Sequence, residues 1–278
     1  MSETLTKKQA IEYLRLDGKT FDNYFKNAEE FHCLKRRGRS RYLFNKEELK
    51  NWKADYQRRT IILTIKDYIL CLDFMLAMHF RGYVSVDWGT ARQREFGQRL
   101  TNWIKGQLAE IAVKKYLKKE FNLDVELDFQ IRDKIVPQDI IGVKKHGRMI
   151  PPKIKISIKS TKPRNAYLVL GENEVKRTQR KSDVYVLCRP NMPDDHLLRL
   201  TKDRIIKLVK KQPHYNDYKD KILGFENMTC EIAGFCSIKE LERVRSIPGQ
   251  KFDGIRYVKK SGHLHRQKKD WEALLRRL

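Results

Sequence analysis

Isoleucine alternates with polar residues between Lys153 and Lys159, and this segment constrains the fold more than any other part of the sequence. A period of two is the period of a β-strand, so the isoleucines share one face and the polar residues share the other. Ser157 and Lys159 therefore point in the same direction. We predict a strand with one apolar face, whose opposite face presents a serine beside a lysine.

The preceding helix carries an acidic residue at the edge of its apolar face. Over residues 100–120, Ile104, Leu108 and Ile111 recur at helical spacing and predict a stripe that faces a core. Glu110 lies in the neighbouring row, where a carboxylate is poorly solvated and needs a partner such as a cation. For the helix taken alone, a carboxylate that reaches solvent is at least as good an interpretation.

Two alternating segments lie between this helix and the strand, and they predict a pair of strands. They cover residues 124–129 and 136–143. Asp139 lies in the second segment, directly after Pro137 and Gln138. An acid on a helix, an acid on a strand and a lysine on the next strand could therefore meet at one point.

Together these pieces resemble the PD-(D/E)xK nuclease superfamily. The likeness covers roughly residues 100–240 and rests on Gly106-Gln107-Leu108-Ala109-Glu110, Pro137-Gln138-Asp139 and Ile158-Lys159-Ser160-Thr161. The resemblance implies an α/β (α+β) fold in which a restriction-endonuclease-like mixed sheet is flanked by helices. It also implies hydrolysis of phosphodiester bonds with Mg²⁺ as the cofactor and with 5′-phosphate ends as the product.

The resemblance also assigns roles to individual residues. Asp139 is the implied metal ligand of the hairpin, Lys159 orients the attacking water, and the acid of the preceding helix completes the set. Ser157 stands where the pattern has Asp or Glu, and Mg²⁺ prefers carboxylates to a hydroxyl. Some superfamily members carry this acid on a neighbouring helix, so Glu174, ranked ahead of Glu172, is the candidate replacement. The implied catalytic residues are Asp139, Lys159, Glu110, Ser157 and Glu174, and the implied metal ligands are Asp139, Glu110 and Glu174.

The first 58 residues contain a separate pattern of short helices and a basic hairpin. Thr6 begins a capping box, and a second helix is predicted over residues 20–26. A hairpin is predicted over residues 34–44, and a helix capped by Asn45 follows it. This order of elements resembles the excisionase and MerR-like winged helix-turn-helix module.

That second resemblance implies DNA binding, with a helix in the major groove and the hairpin, as the wing, against phosphates. The implied contacts are Lys19, Thr20, Asn23 and Lys26 in the groove, and Arg36, Arg37, Arg39 and Arg41 at phosphates. Arg92 and Arg94 lie in a polar, basic loop and are further candidates, although a solvated surface role fits them equally well. A helical dimerisation module with an incidentally basic hairpin is the alternative for the first 58 residues.

The remaining segments predict the frame around these motifs. Helices are expected over residues 61–80 and 238–244, the second of them capped by Ser237. From Gly254 onwards we expect a basic tail that ends in an amphipathic helix around Trp271, which docks on the body of the protein or on a second subunit. The predicted domains are a winged helix-turn-helix at 1–58, a nuclease core with a helical lead-in at 59–250, and the tail with its docking helix at 251–278.

Charge points to a polyanionic partner. The chain has 60 Lys and Arg against 35 Asp and Glu, a formal charge of +25. Such an excess attracts nucleic acid and releases its counterions, although a basic surface that only aids solubility is the alternative. No Walker-type phosphate loop is present, so no nucleotide cofactor is expected.

Cysteine usage and hydropathy indicate the compartment. The five cysteines include no C-x-x-C pair, and four lie in apolar surroundings typical of buried thiols in a reducing compartment. The chain begins without an apolar signal segment, and no apolar run is long enough to cross a membrane. We therefore expect a cytoplasmic protein that does not bind membranes.

These observations favour a type II restriction enzyme that acts as a homodimer on double-stranded DNA. A DNA-reading module joined to a nuclease core accounts for the charge and for both sets of motifs. The alternatives are a non-catalytic DNA-binding regulator that retains the nuclease fold, and a repair or junction-resolving nuclease.

Overall fold

A small sheet and short helices form the N-terminal module of the chain. The computed structural model describes residues 3–35, 42–81, 95–131, 138–145, 147–177 and 181–278. The elements of the module are β1 (Thr4–Thr6), α1 (Lys7–Leu14), α2 (Gly18–Asp22), a π-helical turn (Asn23–Asn27), β2 (Leu34–Lys35), β3 (Tyr42–Asn45) and α3 (Lys46–Arg59). Its strands are antiparallel and follow the order β1-β3-β2.

Side-chain caps fix the helix starts in this module. Thr6 and Asn45 cap α1 and α3 by accepting hydrogen bonds from backbone N–H groups of the first turn, as predicted. The second helix begins at Gly18, earlier than predicted, because Asp17 accepts hydrogen bonds from the N–H groups of Lys19 and Thr20, both at 3.0 Å. In each case the capping side chain accepts a hydrogen bond from a backbone N–H group of the first turn, which has no partner within the helix.

The predicted hairpin is present as the antiparallel pair β2 and β3. Its tip, with Arg36, Arg37, Arg39 and Arg41, lies outside the described residues. Beneath the hairpin, the buried ring of Phe21 lies 5.1 Å from that of Phe31 and 5.2 Å from that of Phe44. Aromatic packing thus gives the module an apolar core of its own.

Longer helices and three further sheets follow the module in the described chain. The elements up to the centre are β4 (Thr60–Leu63), α4 (Ile65–Phe80), α5 (Phe96–Phe121), β5 (Val125–Leu127), β6 (Ile140–Lys145), β7 (Arg148–Ile150), β8 (Ile156–Ser160), β9 (Tyr167–Gly171), α6 (Glu172–Lys176) and β10 (Val184–Pro190). The later ones are α7 (His196–Leu200), α8 (Lys202–Val209), α9 (Tyr215–Tyr218), β11 (Met228–Ser237), β12 (Glu242–Ile247), β13 (Gln250–Lys260) and α10 (Lys268–Leu275), with short 3₁₀ turns at Ile238–Glu240 and Ser261–His263.

The central sheet is mixed. Its order is β4-β11-β10-β8, in which β8 and β10 run parallel and the other pairs are antiparallel. The two smaller sheets have the orders β12-β13-β9 and β5-β6-β7. Mixed sheets with helices packed on them place the chain in the α+β class, as expected.

Helix α5 packs its apolar stripe on the central sheet. Its residues Ile104, Leu108 and Ala112 are fully buried in the largest apolar cluster of the described chain. The last helix, α10, docks on the same body: the Trp271 ring lies 5.2 Å from that of Tyr116 on α5 and 4.8 Å from a phenylalanine ring of β11. The predicted docking helix is therefore confirmed, and it lies against this chain.

Three further predictions differ from the structure. The helix expected over 61–80 begins only at Ile65, because Thr60–Leu63 forms the edge strand β4. The helix expected over 238–244 is wrong: Ser237 caps a single 3₁₀ turn, and β12 follows. The basic tail expected from Gly254 is instead part of strand β13, which runs across the expected boundary at 250/251 and pairs with β9. Strands β4 and β13 gain hydrogen bonds from β11 and β9, which are distant in sequence, and β12 gains them from β13 across a tight turn.

A buried cluster of charges joins the N-terminal module to the central sheet. Arg189 of β10 donates a hydrogen bond to Glu30 of the module at 3.2 Å and another to Glu231 of β11 at 3.0 Å. Glu231 also accepts from Arg59 at 3.2 Å, and Arg266 lies 3.2 Å from Glu30. All five side chains are largely or wholly removed from solvent, so each charge depends on its partners.

The cysteines are unpaired, and no described helix has the length and apolarity needed to span a membrane. Cys71, Cys188, Cys230 and Cys236 are buried, as their apolar surroundings predict, while Cys33 is half-buried.

Candidate active site

Asp139 is fixed against strand β8 by several hydrogen bonds. Its backbone N–H donates to the carbonyl of Ile156 at 3.0 Å. Its Oδ2 accepts one hydrogen bond from the backbone N–H of Ile158 and another from the hydroxyl of Ser157, the latter at 3.2 Å. Ser157 therefore orients the carboxylate that precedes β6, in the position where the resemblance expects a second acid.

Lys159 forms an ion pair with Glu174. The Nζ of Lys159 lies 2.7 Å from Glu174 Oε1, and the other carboxylate oxygen of Glu174 accepts from the N–H of Gly171 at 2.9 Å. Glu174 lies in the first turn of α6, directly after β9, which explains why a residue fifteen positions from Lys159 reaches it. Glu172, the lower-ranked candidate, instead pairs with Lys176.

Glu110 is buried on the side of α5 that faces the central sheet. Only 7% of the residue is exposed, and Oε1 accepts a hydrogen bond from Gln107 Nε2 at 3.0 Å. The side-chain oxygen of Gln107 is buried and has no hydrogen-bond partner among the described residues. Gln107 lies one helical turn before Glu110, and that spacing is the sequence signal that could have assigned it a role.

The electrostatics show that these groups act on one another. Burial raises the pKa of Glu110 well above its usual range, and the nearby charge of Asp139 raises it further. Burial also raises the pKa of Asp139, although Lys159 and the hydrogen bonds from β8 act in the opposite sense. Burial would lower the pKa of Lys159, but the carboxylates of Glu174 and Asp139 outweigh it and raise that pKa. One ammonium thus faces three carboxylates, so the site lacks positive charge.

Asp128 is a further acid of the site to which sequence reasoning gave no role. Its charge raises the pKa of both Glu110 and Asp139. Its backbone N–H donates to the carbonyl of Asp139 at 3.3 Å, since β5 and β6 pair around this point. The sequence signal was its position at the end of the first predicted strand, next to the segment that carries Asp139.

The donor chemistry of the site fits a hard divalent cation. Carboxylates and amide oxygens are the ligands that Mg²⁺ prefers. Burial, the main cause of the raised pKa values of Glu110 and Asp139, makes a cation partner favourable for both carboxylates. Within the described part of the chain, however, no three His, Cys, Asp or Glu side chains are arranged as a metal-binding group. The structure brings Asp139, Ser157 and Lys159 together with Glu174, and in it Glu174 is bound to the lysine.

The residues expected to bind DNA are distributed differently from the expectation. Lys19 and Lys26 are exposed, and the Thr20 hydroxyl donates to Asp17 at 2.6 Å. Asn23 is a correction: it is 8% exposed and its side-chain oxygen accepts from Asn27 at 3.2 Å, so it is not presented to a base edge. It is the first residue of the π-helical turn that follows α2. Arg36, Arg37, Arg39, Arg41, Arg92 and Arg94 lie outside the described residues.

Comparisons of the chain with known protein families, with curated proteins and with solved structures gave no match.

Proposed function

We propose that this protein is a Mg²⁺-dependent nuclease that hydrolyses phosphodiester bonds in double-stranded DNA. The observation that carries the proposal is the convergence of Asp139, Lys159 and Glu174 beside the buried Glu110. The four side chains come from separate parts of the chain: Asp139 precedes β6, and the other three lie on β8, α6 and α5. Perturbed carboxylates grouped with a lysine are a common sign of a catalytic site.

The residues divide the chemistry among them. Asp139, Glu110 and Glu174, with the Gln107 amide oxygen, would hold Mg²⁺, which when bound supplies Lewis-acid stabilisation of the phosphate. Lys159 would orient the attacking water by hydrogen bonding and offset the negative charge that develops on the phosphate oxygens. Ser157 would keep the Asp139 carboxylate in one orientation. For Glu174 to join the other acids, its hydrogen bond to Lys159 must lengthen, and this frees the ammonium for the phosphate.

We further propose that the enzyme is a type II restriction endonuclease that works as a homodimer. The N-terminal module supports this, because capped short helices followed by a paired hairpin give the order expected of a winged helix-turn-helix. The formal charge of +25 supports a DNA partner. A two-fold symmetric enzyme would cut both strands of a palindromic site.

One observation favours a second candidate, a non-catalytic DNA-binding regulator. Glu174 neutralises Lys159 in the structure, and the described acids do not form a three-ligand metal group. A regulator that kept the nuclease fold, with a structural ion pair in place of the metal site, would show the same arrangement of Lys159 and Glu174.

Incubation with plasmid DNA separates the two candidates. The nuclease is expected to give 5′-phosphate fragments with Mg²⁺ and none with EDTA. Asp139→Asn and Lys159→Ala should each abolish cleavage while duplex binding, measured in EDTA, stays within a few-fold. Binding without cleavage by the unaltered chain, over a range of divalent cations and DNA sequences, would support the regulator and refute the nuclease.

A further inference from the structure

A basic hairpin extends from the small sheet next to the candidate site. It consists of β12, the turn Pro248-Gly249, and β13. Gly249 has φ +79°, as the third position of a type II turn requires, and a side chain added there would meet open space. The two strands near this turn are largely exposed, so the tip of the hairpin projects from the body.

The base of the hairpin is firmly anchored. Val258 is buried and pairs with Val169 of β9, while Tyr257 pairs with Leu170 and packs on the apolar cluster beneath it. An anchored base with an exposed tip indicates an arm held in a defined direction.

The same anchoring places the hairpin beside the proposed catalytic carboxylate. Arg256 is the ladder partner of Gly171, whose N–H holds Glu174. A cavity of about 240 Å³ lies between the two segments, and its walls include both Glu174 and Arg256. A DNA strand bound along the hairpin would therefore lie close to the start of α6.

The hairpin carries basic residues that form no ion pair with any described residue. Between residues 242 and 260 there are six basic and two acidic residues. Lys260 pairs with Glu29, but Arg243, Arg245 and Lys251 form no ion pair with any described residue, and all three are exposed. The ladder shift after Val244 gives Arg245 no direct partner, which leaves it at the outer part of the arm.

We propose that the β12–β13 hairpin is a phosphate-binding arm that holds duplex DNA beside the candidate active site. Arg243, Arg245 and Lys251 contact phosphates along the duplex, and Arg256 contacts the phosphate nearest to the site. Arg243 pairs with Tyr257, and the next residue, Val244, pairs with Arg256. Because successive residues of a strand point to opposite faces, Arg243 and Arg256 lie on opposite faces of the hairpin. Phosphate contacts of this kind fix the position of the duplex and carry no sequence information directly. The proposal rests on the proposed function for its ligand, duplex DNA.

A salt titration of duplex binding tests the arm. The triple variant Arg243→Ala/Arg245→Ala/Lys251→Ala is compared with the control Lys268→Ala/Lys269→Ala/Arg276→Ala. The control removes three exposed charges, two from α10 and one from its C-cap, that form no ion pair with any described residue. Binding of the full chain to a duplex of mixed sequence is measured in EDTA. The slope of log K against log salt should fall by about 2.7 for the arm variant, at about 0.9 per phosphate contact, and by less than about 1 for the control.

Two further outcomes keep the test decisive. Arg243→Lys/Arg245→Lys should retain the slope, because a lysine binds a phosphate as a point charge. Equal slopes for the arm variant and the control would overturn the proposal, provided that both melt at the temperature of the unaltered chain. Cleavage is not part of this readout, so a chain that binds through the arm without cutting DNA would refute the nuclease and leave the arm standing.

Discussion

Lys159 and Glu174 form an ion pair of 2.7 Å across two elements of the candidate site. The pair has a matched neighbour, because Glu172 lies two residues earlier on α6 and pairs with the surface residue Lys176. The two glutamates thus lie on one helix and each pairs with its own lysine, but only the partner of Glu174, Lys159, acts on the charges of Asp139 and Glu110. Substitutions at these two positions therefore distinguish a loss of the proposed catalysis from a loss of helix stability.

Substitution of Glu174 should abolish cleavage, and substitution of Glu172 should not. Glu174→Gln removes a charged metal ligand, a loss of several kcal/mol in transition-state stabilisation, so we expect cleavage to fall by at least about 100-fold. Glu172→Gln loses only a surface ion pair and should remain within about twofold. Initial rates of plasmid nicking in Mg²⁺ measure both, and equal rates would remove Glu174 from the site.

The buried Glu110 should make stability depend on pH in the absence of metal. Its pKa is raised in the folded state from an ordinary value of 4.5, so the folded chain binds the proton more tightly than the unfolded chain. Stability should therefore be greatest below pH 4.5 for this group and fall as the pH rises toward the raised pKa. Urea unfolding in EDTA at a series of pH values should show a smaller decline for Glu110→Gln. The same slope in both proteins would contradict the prediction.

A carboxylate at position 157 should increase the effect of Mg²⁺ on stability. The Ser157 hydroxyl lies 3.2 Å from Asp139 Oδ2, so Ser157→Asp places two acids side by side. In EDTA their repulsion should lower the melting temperature below that of Ser157→Asn. With Mg²⁺ at about 100 times its Kd, bound metal should restore about 2.7 kcal/mol. A Mg²⁺ shift no larger than that of Ser157→Asn would mean that the cation does not bind here.

Removal of the Glu30 charge should unfold the chain far more readily than removal of its neighbour's charge. Burial acts to raise the pKa of Glu30, but Arg189, Arg266 and Arg59 lower it to about 2. Glu30→Gln leaves these buried cations short of a partner and should cost about 3–5 kcal/mol. Glu29→Gln, which breaks a half-exposed pair with Lys260, should cost less than about 1 kcal/mol. Urea unfolding measures both, and similar midpoints would show that the cluster is not under electrostatic constraint.

Local patterns in the sequence predicted the elements that local interactions determine. The Thr6 and Asn45 caps, helix α5 and strand β8 follow from capping and periodicity alone. The neighbourhood of Asp139 and Lys159 followed from their placement on adjacent predicted strands.

Features that depend on distant segments could not be predicted. The helix predicted after Ser237 rested on that capping residue, and strand β12 is identified only by its ladder with β13. Asn23 is buried at the start of a π-helical turn that no sequence pattern marks. The cluster around Arg189 joins residues more than 150 positions apart, as the 159 positions between Glu30 and Arg189 show, so no local pattern announces it.

The charge cluster around Arg189 also bears on the distance between the bases that the proposed nuclease would recognise and the bond that it would cut. A DNA-binding module joined to a nuclease domain by a flexible linker samples many positions, so its products vary in length. Here the module is locked to β10 and β11 through Glu30 and Glu231, both bound to one arginine. The distance between the bases that the module would recognise and the phosphodiester bond that would be cut is therefore expected to be fixed, at a single number of base pairs.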